Sequence, residues 1–299
     1  MVMIHGPDFI IIGAMKCATS TLHEQLARQP GIFMSDPKEP NFFSNDEIYA
    51  KGLSWYESLF PQAEASAPAQ GSGTTLRGES STHYTKLPTY PRTVERMSRA
   101  LPDARLVYVM RHPVERLVSQ YIHEWTQRNI STDIDEAVDR HPELVAYSRY
   151  AMQLEPYREA YGAEGVLPVF FEEVIARPRE TLERVCRFVG YAGTPRWESS
   201  AGAANVSRER LRQSPLRDAV VDHPWVTFVR RRFIPKSVRE WVKKPWRMEK
   251  RPELSPESVA RLKEVFDEDL AILGGWLGME LDCDRFKERV LAWASRQSA

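Results

Sequence analysis

The chain of 299 residues predicts an α/β fold, a three-layer sandwich whose central parallel sheet is flanked by helices. Two observations carry this. A wholly apolar run near the N-terminus ends in glycine and leads into a helical pattern, and the same strand-loop-helix grammar returns at Arg105. A third supports it: at 42% hydrophobic and 27% charged residues, the composition is that of a globular protein with a sizeable core.

Asp8 to Ile12 reads as a strand, its Phe9 to Ile12 a continuous aromatic and β-branched run of the kind buried on both faces, and Gly13 ends it. Thr19, Ser20 and Thr21 mark a helix start, where hydroxyls can cap exposed N–H groups, and Leu22 and Leu26 recur on one face. A shorter strand is expected at Leu76 to Glu79, preceded by a surface loop from Ala63 to Thr75 rich in Ala, Ser, Gly, Pro and Gln. Arg105 to Met110 reads as a strand, and Arg111-His112-Pro113 leads into a helix with proline in its first turn. Val166 to Phe171 is the next strand, followed by a helix from about Pro178 to Val189. Leu254-Ser255-Pro256-Glu257 opens a Ser-capped helix, and helices are expected from there to the C-terminus. One domain, 1–299, is expected, with 201–252 inside it as a candidate cap over the cleft.

Lys+Arg and Asp+Glu both number 41, so no global field draws in nucleic acid, and no nucleic-acid partner is expected. Locally the balance differs: Asn205 to Pro252 holds fourteen Lys or Arg against five Asp or Glu. Cys17, Cys186 and Cys283 are far apart and in no metal-ligand or disulfide spacing, so no metal is expected and a reducing cytoplasm fits. Phe9 to Ile12 is too short for a membrane span or a signal segment, and no basic stretch precedes it.

The loop Gly13 to Thr21 joins a buried strand to a helix, so the helix dipole and free N–H groups make an anion site for which phosphate is the natural guest. Lys16 supplies a point charge, Ala14 and Ala18 let the backbone approach, and Thr19, Ser20 and Thr21 add donors. The spacing is not that of a Walker loop, in which Lys follows a second glycine at the end of the loop. Arg111 stands at the carboxyl end of a parallel strand, the ligand side of such a sheet, and its fork suits a phosphate dianion. Arg116 is read as a helix-surface ion-pair residue, and His112, between Arg and Pro, as a structural turn residue.

Ile11 to Leu22 resembles the 5′-phosphosulfate-binding loop of the sulfotransferases that use 3′-phosphoadenosine-5′-phosphosulfate (PAPS), with Ala18 where that family commonly has Gly. Arg105 to Tyr121 resembles the family's 3′-phosphate segment, in which a strand-end Arg is followed eight residues later by a helical Ser, here Arg111 and Ser119. Asn205 to Arg210 is loosely similar to a loop that closes over the nucleotide, which would make Arg208 a further phosphate contact. Asp36 to Ser44 resembles the KE-x-[HN]-FF region of the heparan-type, carbohydrate-modifying branch. The resemblance implies a P-loop-like fold, PAPS as donor with no metal, and a nucleotide site built from Lys16, Cys17, Ala18, Thr19, Ser20, Thr21, Arg111, Ser119 and Arg208.

It also implies Glu39 as general base, since transfer to an alcohol requires a proton to be removed. Gly78 to Tyr84 looks like the family's acceptor-cleft segment, with Ser80 in place of a Lys and Thr82 in place of a Pro, and here His83 is a second candidate base. The expected activity is transfer of a sulfuryl group from PAPS to a hydroxyl or amine of a carbohydrate or small-molecule acceptor. Two other classes stay open. One is a P-loop kinase of small molecules. The other is a membrane-surface or partner-binding protein acting through 228–246, where Arg230 to Arg232 and Lys243-Lys244 interleave with aromatics.

Overall fold

The computed structural model describes residues 6–60, 75–199 and 250–297. Five strands form one sheet: β1 Phe9–Gly13, β2 Ile32–Met34, β3 Leu76–Ser80, β4 Arg105–Met110 and β5 Val166–Phe170. The order is β2-β3-β1-β4-β5, and every pairing is parallel. Among the described residues the helices are α1 Thr19–Ala27, α2 Asp46–Tyr49, α3 Leu53–Glu57, α4 Thr93–Ala100, α5 Pro113–Thr126, α6 Ile134–Arg140, α7 Pro142–Ala146, α8 Tyr150–Tyr161, α9 Phe171–Ala176, α10 Pro178–Val189, α11 Pro256–Leu277 and α12 Phe286–Gln297. The expected α/β class, a central parallel sheet flanked by helices, is the observed one.

The apolar runs explain the layering. All five residues of β1 and all but the first of β4 are buried, as parallel strands covered on both faces must be. α1 and α10 pack on each other and on the sheet, while α8 packs against α4, α11 and β5. Ser255 caps α11, its hydroxyl accepting from Ser258 N–H at 3.2 Å. Asp269, in the middle of α11, is buried and accepts from the N–H groups of Ala151 and Met152 at 2.8 and 3.0 Å, which caps α8.

Several expectations need correction. The edge strand β2 was not foreseen, because three residues are too few to show a period. Phe171 belongs to α9 rather than to β5. The N-cap of α1 is Ala18, in the left-handed region at φ 64°, with no side-chain cap, so Thr19, Ser20 and Thr21 fill the first turn itself. The loop Ala63 to Thr75 (all but Thr75), Arg208, nearly all of the basic 201–252 segment and the 228–246 surface lie outside the described residues.

The largest correction is Arg116, which is fully buried. Its Nε donates to Ser148 Oγ at 2.5 Å, and one terminal nitrogen donates to Gln120 Oε1 at 2.8 Å and to the Leu144 carbonyl at 2.9 Å. Burial pushes its pKa down, while electrostatic interaction with Tyr150, Cys17 and Tyr108 opposes that. Its guanidinium therefore ties α5 to the turns around α7 by hydrogen bonds to neutral groups. Arg116→Ala is expected to cost about 3 kcal/mol, by orphaning buried acceptors and opening a cavity. Urea unfolding checks this against Arg99→Ala, an exposed pair with Glu95 expected to change stability by under about 0.5 kcal/mol.

Candidate active site

The strand order sets the location. From β1 the chain runs toward β2 at one edge, and from β4 toward β5 at the other, so the loops after β1 and β4 diverge at the carboxyl edge of two adjacent strands. Such a switch point is where open α/β sheets bind ligands. The first loop is also tied to the strand that carries the second, since Ala14 N–H donates to the Val109 carbonyl of β4 at 2.7 Å.

Gly13 begins the first loop and must be glycine: it holds φ 154°, and a Cβ there would lie 1.9 Å from Thr85 Oγ1, which itself donates to the Ile12 carbonyl. Lys16 and Ala18 both take left-handed backbone, at φ 70° and 64°. The Ala18 conformation is the one a Gly at that place adopts without strain. Cys17 turns inward: it is fully buried, burial pushes its thiol up to about 12, and Arg116 and Arg111 lie within electrostatic reach. Only its backbone can face a ligand. Thr19 is buried in the first turn, while Ser20 and Thr21 are part-exposed.

At the end of β4, Arg111 is clamped at its backbone. Its N–H donates to the Tyr150 hydroxyl at 3.2 Å, and that hydroxyl donates to the Arg111 carbonyl at 2.5 Å. The guanidinium lies over the Phe171 ring at 4.5 Å and pairs with Glu115 at 2.7 Å. Partial burial raises the Glu115 pKa, but the hydrogen bond and charge of Arg111 outweigh that and hold it low. His112 fixes the turn, its N–H donating to Glu172 Oε1 at 3.0 Å and its Nε2 lying 2.9 Å from the Cys283 carbonyl. Ser119 lies two turns along α5 and is part-exposed.

Glu39 sits in a turn with φ 59° at Glu39 and φ 52° at Asn41, around Pro40. Phe42 and Phe43, just after it, are fully buried. The Glu39 carboxylate accepts from Thr82 Oγ1 at 3.2 Å and from Lys38 Nζ at 3.3 Å. The same Lys38 Nζ donates to Ser20 Oγ at 2.7 Å, so one ammonium bridges the anion loop and the Glu39 carboxylate. The sequence alone assigns Lys38 no role; its adjacency to Glu39 is the available signal. Lys86 is a second unforeseen cation, its pKa pushed down by burial and pulled up by Glu124 and Glu39.

His83 stacks on Tyr90 with ring centroids 5.1 Å apart, and burial with the nearby Lys86 charge lowers its pKa to about 4. His23, whose Nδ1 is 3.0 Å from Ser80 Oγ, is likewise lowered to about 4 by burial and by Lys38. Both rings are neutral at pH 7. Among the described residues, no group of three or more His, Cys, Asp or Glu is placed to hold a metal ion. No described helix is long and apolar enough to cross a membrane.

Two outcomes follow from this geometry. Ala18→Gly relieves left-handed strain and is expected to raise stability by about 0.5–1 kcal/mol, seen as a higher melting temperature. As pH falls from 6.5 toward about 4, unfolded chains protonate His23 and His83 while the folded protein does not, so stability falls across that window. His83→Gln should flatten that slope in urea titrations, and an unchanged slope would contradict the assignment.

Known proteins resemble this chain in sequence and in fold. The model of the Sulfotransferase family matches residues 7–195. The membrane-associated sulfotransferase kil1 of Dictyostelium discoideum is 31% identical over 159 residues, 52% of this chain and 32% of its own length. Mouse heparan sulfate glucosamine 3-O-sulfotransferase 3B1 is 31% identical over 199 residues, covering 62% of this chain and 46% of its own. The chain thus spans less than half the length of these relatives. Among solved structures, a sulfotransferase from Alicyclobacillus acidocaldarius shares the fold with a TM-score of 0.63 at 22% identity, over 97% of this chain and 99% of that one. Since the matched span takes in the anion loop, the Glu39 turn and the Arg111 turn together, the chain belongs to the sulfotransferase family.

Proposed function

We propose that this sulfotransferase uses PAPS as donor and sulfates a hydroxyl or amine on a carbohydrate or glycosylated small molecule, with Glu39 as general base. The observation that carries the proposal is the Lys38 bridge, which sets the Glu39 carboxylate beside Ser20 of the anion loop. The carbohydrate acceptor rests on the heparan sulfate relative and on the Lys38-Glu39-Pro40-Asn41-Phe42-Phe43 motif.

The residues fit the donor. Gly13 to Thr21 contains no carboxylate, its first-turn amides carry no side-chain cap from Ala18, and Lys16 and Lys38 add positive charge. Across the β1–β4 seam, Arg111 offers a fork whose present partner, Glu115, is half-exposed and easily replaced by a phosphate. When bound, PAPS supplies the electrophilic sulfuryl group and a bisphosphate leaving group.

In this reading Glu39 takes the acceptor's proton, with Lys38 and Thr82 fixing the carboxylate's rotation. Lys16 and the amides of residues 17–21 hold the anionic 5′ end and the charge that builds there, and Arg111 with Ser119 holds the 3′-phosphate. His83 is the weaker candidate for the base, since its ring stacks on Tyr90, whereas the Glu39 carboxylate is tied to the anion loop through Lys38. A kinase reading finds no support in the family match, and the membrane-surface reading falls on residues outside those described.

Labelled PAPS and a panel of oligosaccharides, phenols and aminosugars test this. Transfer is expected to persist in excess EDTA. Glu39→Gln should lower kcat by roughly 10²- to 10⁴-fold with little change in donor KM. Lys16→Ala should lower kcat by about 10²-fold or more. Wild-type turnover in both variants, or transfer from ATP that requires Mg²⁺, would refute the proposal.

A further inference from the structure

Two non-glycine residues in left-handed backbone, Glu39 and Asn41, bracket Pro40. Each costs on the order of 1 kcal/mol or more, so such a turn persists only where its surroundings over-determine it. Its restraints come from one place. Glu39 N–H donates to the Ser80 carbonyl at 2.9 Å, and Asn41 N–H donates to Ser81 Oγ at 3.1 Å. Just beyond the turn, Phe42 stacks on Tyr56 at 4.6 Å and Phe43 meets its edge at 5.0 Å.

Behind these groups lies Glu79, fully buried at the end of β3. Its Oε1 accepts from Ser81 Oγ at 2.6 Å, and its Oε2 accepts from the Tyr56 hydroxyl. The first bond orients Ser81 so that its lone pair meets Asn41 N–H. The second locks the ring on which Phe42 and Phe43 pack. The Asn41 to Phe43 side of the strained turn is therefore referred to one carboxyl group, while its Glu39 end is held by the carbonyl of Ser80, the residue next to Glu79.

We propose that Glu79 is a positioning residue for sulfuryl transfer: through Ser81 and Tyr56 it holds the Pro40 turn in the geometry that sets Glu39 against Lys38 and the anion loop. This rests on the reading of Glu39 as the base. Glu79 touches neither donor nor acceptor in this scheme, so its loss should appear in kcat and leave nucleotide binding alone.

The test uses Ser81→Ala, Glu79→Ala and Glu79→Gln in the full chain. Ser81→Ala and Glu79→Ala are expected to lower kcat roughly 10- to 100-fold while the Kd for adenosine 3′,5′-bisphosphate stays within about twofold. Glu79→Gln, which keeps an oxygen that can accept from Ser81, should recover most of the rate. In a Glu39→Gln background, Ser81→Ala should add no further loss, because the two act through one group. Should Glu79→Ala fail to fold, Ser81→Ala and Tyr56→Phe still decide the matter. A wild-type kcat in both of those variants with a slow Glu39→Gln would overturn the positioning role alone. Additive losses in the Glu39→Gln background, or nucleotide affinity falling in parallel with kcat, would also overturn it. A wild-type rate in Glu39→Gln would instead fail the base reading beneath it.

Discussion

The site depends on the pairing of β1 with β4. Because these strands are neighbours and the chain leaves them toward opposite edges, their loops open a crevice that neither could make alone. The bond from Ala14 N–H to the Val109 carbonyl fixes one loop on the strand that carries the other. The spacing between the anion loop and Arg111 is thus a property of the sheet, set by backbone hydrogen bonds in a fully buried core. A ligand with two anionic ends meets a ruler that is already cut.

Around this ruler the chain accepts local costs. Lys16, Ala18, Glu39 and Asn41 all hold left-handed backbone, and Arg116 and Glu79 are ionisable groups deep in the protein. The buried pair are met by named partners, Ser148, Gln120 and the Leu144 carbonyl around Arg116 and Ser81 and Tyr56 around Glu79; Ser80 and Ser81 hold the Glu39 and Asn41 amides, and Tyr150 and Glu172 brace the Arg111 turn. Strain gathered beside a cleft and supported from behind is the pattern of a preorganised site. Lys38 gives this physical form, since a single ammonium touches a hydroxyl of the anion loop and the Glu39 carboxylate.

Much of the fold was legible because its signals are local. The apolar runs at β1 and β4 could be only buried strands, and Pro113 and Ser255 announced the helices that follow them. The anion loop and Arg111 were legible for the same reason, since strand, loop and helix fix where those residues stand. What escaped notice needs three dimensions. β2 is too short to show a period. Arg116 looked like any charged residue on an amphipathic helix until α7 and Ser148 closed over it. The sign of φ at Ala18 is invisible because alanine, unlike glycine, does not signal left-handed backbone, and Lys38 gained meaning only when its turn folded back onto Ser20.

The central claim is that the β1 and β4 loops grip two phosphate groups of one nucleotide. Calorimetric titration with adenosine 3′,5′-bisphosphate and with adenosine 5′-monophosphate measures this directly. The account predicts that the bisphosphate binds roughly ten- to a hundredfold tighter, a charge-assisted contact of about 1.5–3 kcal/mol, and that Arg111→Ala erases most of the difference. Equal affinities for the two nucleotides in the wild-type protein, or a preference that survives Arg111→Ala intact, would contradict it.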